Sequence, residues 1–220
     1  MREWVFKMRG GLWTLLFVII LFMAKKTTPT QILISLPIIL IGQLWRCWTV
    51  GYIGLYRGEN VKAQKLATTG AYSLMRNPLY FGNFLIGLGW SIIAGVIPVI
   101  IFVVSFYILY CVVIIPHEEK FLLSKFGLEY SNYCKNVKRF WPTSLSNLSV
   151  SSRHLPLERG DSAPHSQGGE SHEMARGLPS SVSGGVKTKI FDMKLIMKSE
   201  IHTIISTIIG TIIIIVVCYT

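Results

Sequence analysis

The chain has 220 residues, of which 51% are hydrophobic and only 15% are charged. That balance favours a protein of the lipid bilayer over a soluble domain. The net charge is +11, and before residue 143 lysine and arginine outnumber aspartate and glutamate by 15 to 5. Because the positive excess lies in the hydrophobic part of the chain, it is typical of cytoplasmic loops of a membrane protein rather than of nucleic-acid binding.

Five apolar runs follow one another along the chain, and each of the last four approaches the roughly 20 residues that span a bilayer. They are residues 11–24, 31–54, 79–96, 98–116 and 201–218. The first run is short and follows Arg2, Lys7 and Arg9, so a cleaved signal peptide is the alternative to a helix there. Since Lys25 and Lys26 follow and no small-residue cleavage site is present, we predict a retained helix. The predicted fold class is all-α, a polytopic membrane protein with about five transmembrane helices.

The basic residues are distributed unevenly between the two sides of this topology. With the N-terminus inside, the inner segments carry twelve lysines and arginines, whereas the outer ones carry only Lys25 and Lys26. The positive-inside rule therefore predicts an integral, multi-pass protein whose N-terminus and active site face the cytoplasm. A bacterial inner membrane and the endoplasmic reticulum both suit this topology.

Three regions differ in composition. Residues 1–142 form the predicted membrane unit, and residues 143–200 are rich in Ser, Gly, Pro and charges of both signs, which is typical of a mostly disordered linker. Residues 201–220 are predicted to form a C-terminal transmembrane helix. The four cysteines are scattered without ligand spacing, so no metal site is predicted.

The third and fourth apolar runs are joined by residues 94–98 only, which predicts a tight antiparallel hairpin. Its cytoplasmic ends, residues 76–78 and 116–119, are then neighbours in space. Beyond them, apolar residues at helical spacing between positions 122 and 137 are interrupted by Gly127. This pattern predicts two short amphipathic helices that fold back over the mouth of the hairpin.

Both ends of the hairpin carry polar side chains that suit a charged ligand. Asn77 is a good N-cap and Pro78 fits the first helical position, so with Arg76 the start of this helix favours an anion. Glu118 and Glu119 are adjacent carboxylates at a depth where charge is costly unless it is used or solvated. An acidic pair in this position is also compatible with a merely solvated face.

A ligand with a carboxylate, an ammonium group, ribose hydroxyls and a flat base matches both ends of the hairpin. S-adenosylmethionine fits that description, and Gly87 and Gly89 remove side chains that would block it. The alternative is that these glycines serve helix packing, as they commonly do in membrane proteins.

Two runs, "LATTGAYSLMRNPLYFGNFLIGLGW" and "EEKFLLSKFGLEYSNYCKNVKRFWP", together with Gly42, Arg46 and Trp48, resemble a known family. It is the isoprenylcysteine carboxyl methyltransferase and phospholipid methyltransferase family of integral-membrane enzymes, and the resemblance covers about residues 42–142. It implies an enzyme that uses S-adenosylmethionine without a Rossmann domain, between membrane helices and the C-terminal amphipathic region. The cofactor-binding residues predicted from the residues and the resemblance together are Arg76, Asn77, Tyr80, Gly87, Gly89, His117, Glu118 and Glu119.

One position departs from the family pattern, because Asn77 stands where the carboxyl methyltransferases usually have His. Asparagine keeps the capping function and a hydrogen-bond donor, but it does not titrate near neutral pH. The departure leaves the cofactor prediction in place and the substrate open.

Four further residues are candidates for catalysis: Arg139, Arg46, Tyr130 and Glu129. Arg139 lies at interfacial depth and suits an anionic substrate group, with Tyr130 and Glu129 beside it, although it is equally suited to anchor the chain at the interface. Arg46 lies inside an apolar run, where an unpaired charge is expensive, and it matches the "RxW" element of the family. The alternative is that its side chain merely snorkels toward the interface.

The predicted function is S-adenosylmethionine-dependent methylation of a membrane-associated substrate, namely carboxyl methylation of an isoprenylcysteine-like or related lipophilic acceptor. The predicted partners are this lipophilic or lipid-anchored substrate and membrane lipids, without nucleic acid or metal. Two alternatives stay open: N-methylation of a phospholipid amine, and a non-enzymatic small transporter or membrane scaffold.

Overall fold

The computed structural model describes residues 9–53, 66–142 and 193–219, and no strand occurs among them. The described helices are α1 Arg9–Phe22, α2 Pro29–Ile53, α3 Ala71–Leu74, α4 Pro78–Ala94, α5 Val96–Phe106, α6 Ile115–Phe126, α7 Leu128–Asn136 and α8 Met193–Tyr219. The predicted all-α fold class is confirmed.

Each of the five predicted apolar runs contains a described helix. Within the described residues, three helical stretches are long and apolar enough to cross a membrane: Pro29–Tyr52, Val96–Phe126 and Ser199–Tyr219. The apolar helices α1 and α4 are shorter. The chain is therefore an integral membrane protein. Helix α8 begins at Met193, before the predicted start at residue 201, and the rest of the predicted linker, 143–192, lies outside the described residues.

The helix that begins at Val96 does not stop at Pro116. It continues from α5 through wider π-helical turns, Tyr107–Ile114, into α6. Proline lacks an N–H group, and its ring crowds the carbonyl one turn earlier, so the wider turns just before Pro116 relieve both conflicts. The prediction of two separate amphipathic helices is thus wrong for the first of them, since α6 extends the membrane helix. The predicted interruption at Gly127, where φ is 51°, is present.

Helices α4 and α5 form a tight antiparallel hairpin, as the short connection predicts. Only Gly95 separates them. Its φ is 119°, a backbone conformation that residues other than glycine rarely adopt. This turn brings the N-terminal end of α4 beside the α5–α6 helix.

Helices α2 and α4 approach closely where two glycines face each other. A Cβ atom on Gly82 would lie 2.5 Å from Cγ of Arg46 and 3.0 Å from the carbonyl oxygen of Gly42. A Cβ on Gly42 would in turn lie 3.0 Å from the carbonyl oxygen of Gly82. Small residues that let two backbones meet are a common means of packing membrane helices.

Replacing Gly82 tests this packing. Because a methyl group there must displace Arg46 or the α2 backbone, we expect Gly82→Ala to lower the free energy of unfolding by about 1–3 kcal/mol. Thermal unfolding of the protein in detergent measures the change. Gly10→Ala is the control, since a Cβ at Gly10 meets no atom within 4 Å. Equal stability of the two variants would show that α2 and α4 do not pack as described.

An aromatic cluster fills the space between the hairpin and its neighbours. The rings of Phe106 and Tyr110 are stacked with centroids 4.5 Å apart, and Trp13 of α1 packs against them edge-on. Phe140 returns from beyond α7 and contacts Phe106, with ring centroids 5.8 Å apart. This contact places the segment after α7 at the mouth of the hairpin.

Candidate functional site

A polar cluster at the mouth of the hairpin joins three separate parts of the chain. We call it the mouth cluster and define it by Arg76, Asn77, Tyr80, Glu118, Glu119 and Arg139. Its centre is Glu119 of α6, whose Oε2 lies 2.6 Å from Nη2 of Arg139 and whose Oε1 lies 3.3 Å from Nη2 of Arg76. The Glu119 side chain is only 12% exposed, whereas that of Arg139 is 46% exposed. One carboxylate thus holds two arginines that are far apart in sequence.

The second carboxylate of the acidic pair is held by a tyrosine. The hydroxyl group of Tyr80 donates a hydrogen bond of 2.7 Å to Oε1 of Glu118. Tyr80 is itself buried, and its ring packs against that of Tyr110 with centroids 4.9 Å apart. The packing fixes the position of the hydroxyl group, and therefore the position of the carboxylate that it binds.

Asn77 occupies the predicted N-cap position of α4, but its side chain does not cap the helix. Its Nδ2 instead donates a 3.0 Å hydrogen bond to the carbonyl oxygen of Arg139, and the backbone N–H of Arg76 donates to the carbonyl oxygen of Lys138 at 2.9 Å. An N-cap must accept a hydrogen bond, whereas here the amide nitrogen is used as a donor. Asn77 therefore ties down the segment after α7.

Helix α7 closes over the cluster through two tyrosines. Tyr133 donates a 2.6 Å hydrogen bond to the carbonyl oxygen of Tyr72, and Tyr130 is buried beside it. Burial, followed by the charge of Glu119, raises the pKa of Tyr130 above the usual value for a tyrosine. Tyr130 consequently stays protonated at neutral pH and can act as a hydrogen-bond donor but not as a base.

Arg139 is also stabilised in its charged form. The hydrogen bond from its guanidinium group to Glu119 raises the pKa of Arg139 above its already high ordinary value. Arg139 therefore remains a cation at every pH of physiological interest.

The other predicted residues lie elsewhere. His117 is partly buried on α6 next to Glu118, and Glu129 is exposed on α7. Gly87 lies about 10 Å along α4 from Tyr80, at the usual rise of a helix. A Cβ on Gly87 would lie 2.4 Å from Cε2 of Phe102, and a Cβ on Gly89 would lie 2.4 Å from Cγ1 of Ile39. The space beside both glycines is thus filled by neighbouring helices, and their role in cofactor binding stays a prediction.

Arg46 belongs to a second polar cluster, inside the bundle. Its Nη2 lies 3.0 Å from Oε2 of Glu200 on α8, and the exposed fractions of the two side chains are 6% and 0%. Arg46 also donates to the side-chain oxygens of Asn83 and Thr203. The sequence analysis missed Glu200, although a lone acid at the edge of one apolar run and a lone arginine within another are a signal for such a pair.

Two buried atoms of the mouth cluster are compatible with a polar ligand. Among the described residues, Nε of Arg76 and Oε1 of Glu119 are buried without a hydrogen-bond partner, although Oε1 lies in the 3.3 Å ion-pair contact with Nη2 of Arg76. Buried polar atoms are nearly always hydrogen-bonded in folded proteins, so such positions call for a partner. A guanidinium donor suits a carboxylate, and a carboxylate oxygen suits an ammonium or hydroxyl group. The residues present therefore fit the charged groups of S-adenosylmethionine.

The part of the chain that builds this hairpin matches a known family. Residues 30–129 match the model of the phospholipid methyltransferase family. The match includes Arg46, Arg76, Tyr80, Glu118 and Glu119, and it confirms the resemblance predicted from the sequence. It supports a membrane methyltransferase type of function. Arg139 and Glu200 lie outside the matched residues.

Curated relatives match over short regions. The chain is 28% identical over 88 residues to the Delta(14)-sterol reductase TM7SF2 of Mus musculus, covering 38% of this chain and 20% of that protein. It is 33% identical over 99 residues to the nickel-cobalt-cadmium resistance protein NccN of Alcaligenes xylosoxydans xylosoxydans, covering 44% and 43%. The Delta(14)-sterol reductase LBR of Gallus gallus is 29% identical over 76 residues, covering 33% and 12%. The chain thus spans less than half the length of these relatives. No solved structure matches it.

Proposed function

We propose that the protein is an S-adenosylmethionine-dependent methyltransferase that acts on a lipophilic acceptor at the mouth cluster. The observation that carries this proposal is the convergence of Arg76, Glu119 and Arg139, with Glu119 within 2.6 Å and 3.3 Å of the two arginines. Two of these residues lie in the segment that matches a methyltransferase family. A scaffold or a small transporter does not require this convergence of charged groups.

The cofactor would be held by the side chains of the mouth cluster. Arg76 suits the carboxylate of the methionine moiety, and Glu118 and Glu119 suit its ammonium group and the ribose hydroxyls. When bound, S-adenosylmethionine supplies an electrophilic methyl group on a sulfonium ion. Tyr80 orients Glu118, and Asn77 holds the backbone of Arg139 in place. Such positioning of two reactants supplies about 7–11 kcal/mol at the favourable extreme.

We propose a carboxylate as the methyl acceptor, on a lipophilic molecule of the isoprenylcysteine type. A carboxylate is already ionised at neutral pH and needs a cation to orient it rather than a base to deprotonate it. The half-exposed Arg139 suits that role, and Trp141, two residues later, is 65% exposed, as suits an aromatic side chain at a membrane interface. The carboxylates of Glu118 and Glu119 are both engaged by donors of the mouth cluster, which favours an acceptor that needs no base.

A phospholipid amine is the second candidate acceptor. It is favoured by the description of the matching family, phospholipid methyltransferase, and by the two adjacent carboxylates, which suit a cationic head group. Two of the relatives are named as sterol reductases, which supports a lipophilic ligand for this chain without favouring either acceptor.

We further propose that the mouth cluster faces the cytoplasm. The described mouth segments carry Arg76, Lys120, Lys125, Lys135, Lys138 and Arg139, whereas the opposite loop carries Lys25 and Lys26. An excess of basic residues is typical of the cytoplasmic side of a membrane protein.

The function is tested by incubating membranes that contain the protein with S-adenosylmethionine labelled in its methyl group. We expect label to enter the lipid fraction and to be released by alkali, because methyl esters hydrolyse in base and N-methyl groups do not. Label that is stable to alkali would show that the methyl acceptor is an amine and not a carboxylate. If the purified protein does not bind S-adenosylmethionine in an equilibrium assay, the proposed function is wrong.

A further inference from the structure

A cleft of about 310 Å³ opens between helices α1, α4 and α8, away from the mouth cluster. Trp13, Phe17 and Trp90 line its apolar side. All three helices are apolar, and α8 is long enough to cross the bilayer, so the cleft lies within the membrane. Its volume is in the range of small-molecule sites, about 300–1,000 Å³.

The part of α8 that lines the cleft carries polar side chains in its first turns and ends at Gly210. His202, Thr203, Ser206 and Thr207 line the cleft from this helix, and Asn83 faces them from α4. The stretch from Thr203 to the lining residue Gly210 extends about 10 Å along the helix axis. The hydroxyl group of Thr207 already donates to Oε1 of Gln43 at 3.0 Å, whereas the donor capacity of Thr203 and the hydroxyl group of Ser206 suit a polar group in the cleft.

The cleft has a polar end and an apolar end. At the polar end, Asn83 and Thr203 also accept hydrogen bonds from Arg46, which is paired with Glu200. Because these two charges neutralise each other, the Arg46–Glu200 pair adds no net charge to the polar end of the cleft. At the far end, the indole of Trp90 donates a 3.0 Å hydrogen bond to Oγ1 of Thr211 and closes the cleft between α4 and α8.

We propose that this cleft is a binding site for a membrane amphiphile whose head group is neutral and hydrogen-bonding, such as an alcohol. The head group lies at the Asn83 and Thr203 end, and the hydrocarbon chain lies against Trp13, Phe17 and Trp90. A helix of a partner protein is too large for this cleft, since a helix with its side chains is about 10–12 Å wide. The site includes α8, which lies outside the residues that match the methyltransferase family.

The probe that tests this site is a long-chain alkanol with a diazirine in the middle of its chain. The full-length protein in lipid bilayers is irradiated with the probe, and the labelled peptides are mapped with and without an excess of unlabelled alkanol. We expect labelling of residues 13–17 and 202–210 that the excess alkanol abolishes. Labelling that the excess does not reduce would show that the probe merely contacts the lipid-facing surface, and it would overturn the proposal.

Two matched pairs of variants test the position of the site. Ser206→Trp and Thr14→Trp fill the cleft from α8 and α1, and we expect each to lose the competable labelling. Ile208→Trp and Leu15→Trp place the same side chain on the same two helices at exposed positions that do not line the cleft, and we expect them to label like the wild type. If either cleft variant folds and keeps the wild-type labelling, the cleft is not the site. Elution as a single species in size-exclusion chromatography identifies folded variants.

A probe with the same chain and a carboxylate head group tests the preference for a neutral head. We expect the carboxylate probe to give no competable labelling of the cleft peptides. Competable labelling equal to that of the alkanol would overturn the assignment of a neutral head group. Neither measurement depends on methyl transfer, so failure of the proposed function leaves this test intact.

Discussion

Glu119→Gln is expected to weaken the binding of S-adenosylmethionine by about tenfold to a hundredfold. Hydrogen bonds to charged groups contribute about 1.5–3 kcal/mol, and each 1.4 kcal/mol corresponds to a factor of ten in affinity. The substitution keeps the shape of the side chain but removes the negative charge with which both Arg76 and Arg139 pair. Equilibrium binding of the labelled cofactor to the purified protein measures the effect.

Lys125→Gln is the control for Glu119→Gln. Lys125 lies on the same helix, is exposed, and has no ion pair among the described residues. We expect it to bind the cofactor with wild-type affinity. Wild-type affinity of both variants would remove Glu119 from the cofactor site, and equal loss in both would point to a general disturbance of α6, since the two substitutions change the charge in opposite directions.

Glu200→Ala is expected to lower the free energy of unfolding by about 3–5 kcal/mol, because removing one partner leaves the buried charge of Arg46 uncompensated. The pair is almost completely buried, with exposed fractions of 6% and 0%. Thermal unfolding of the variant in detergent, compared with the wild type, gives the change. If Glu200→Ala lowers the free energy of unfolding by no more than an ordinary surface substitution does, Glu200 does not neutralise Arg46.

The double variant Arg46→Leu with Glu200→Leu separates a structural role from a catalytic one. Replacing both members of a buried pair by apolar residues is often neutral or stabilising, so we expect stability to recover. If Arg46 acts only in packing, the double variant also regains methyl transfer. A stable but inactive double variant would instead support the catalytic role predicted for Arg46.

The sequence analysis predicted that the two ends of the hairpin meet, because that prediction depends only on patterns within short stretches of chain. The short connection at residues 94–98 requires the two helices to be antiparallel neighbours, and this places residue 76 and residue 119 on the same side. The contact between Arg76 and Glu119 at 3.3 Å follows from that topology. The adjacent carboxylates were recognisable because charge close to a membrane helix is costly unless it has a partner.

The partners of single residues were much harder to predict. Asn77 has the residue type and position of an N-cap, yet its amide donates to the carbonyl oxygen of Arg139 because the returning segment after α7 lies against it. Phe102 lies beside Gly87, a neighbour that the sequence did not specify, and the role of Gly87 in cofactor binding stays a prediction. The contacts of each residue depend on which distant segment packs against it, and residue type alone does not specify that segment.

The sequence by itself determined that this protein is helical, lies in the membrane and carries charged residues at the mouth of a hairpin. The length of an apolar run, the length of a loop and the free-energy cost of placing a charge near the membrane are all properties of short stretches of chain. Only the tertiary structure decided that Arg46 of α2 pairs with Glu200 of α8, 154 positions away. It also decided that α8 forms one wall of a cleft with α1 and α4. Contacts between distant helices depend on how their faces rotate and pack against one another, which periodicity in a single helix does not fix.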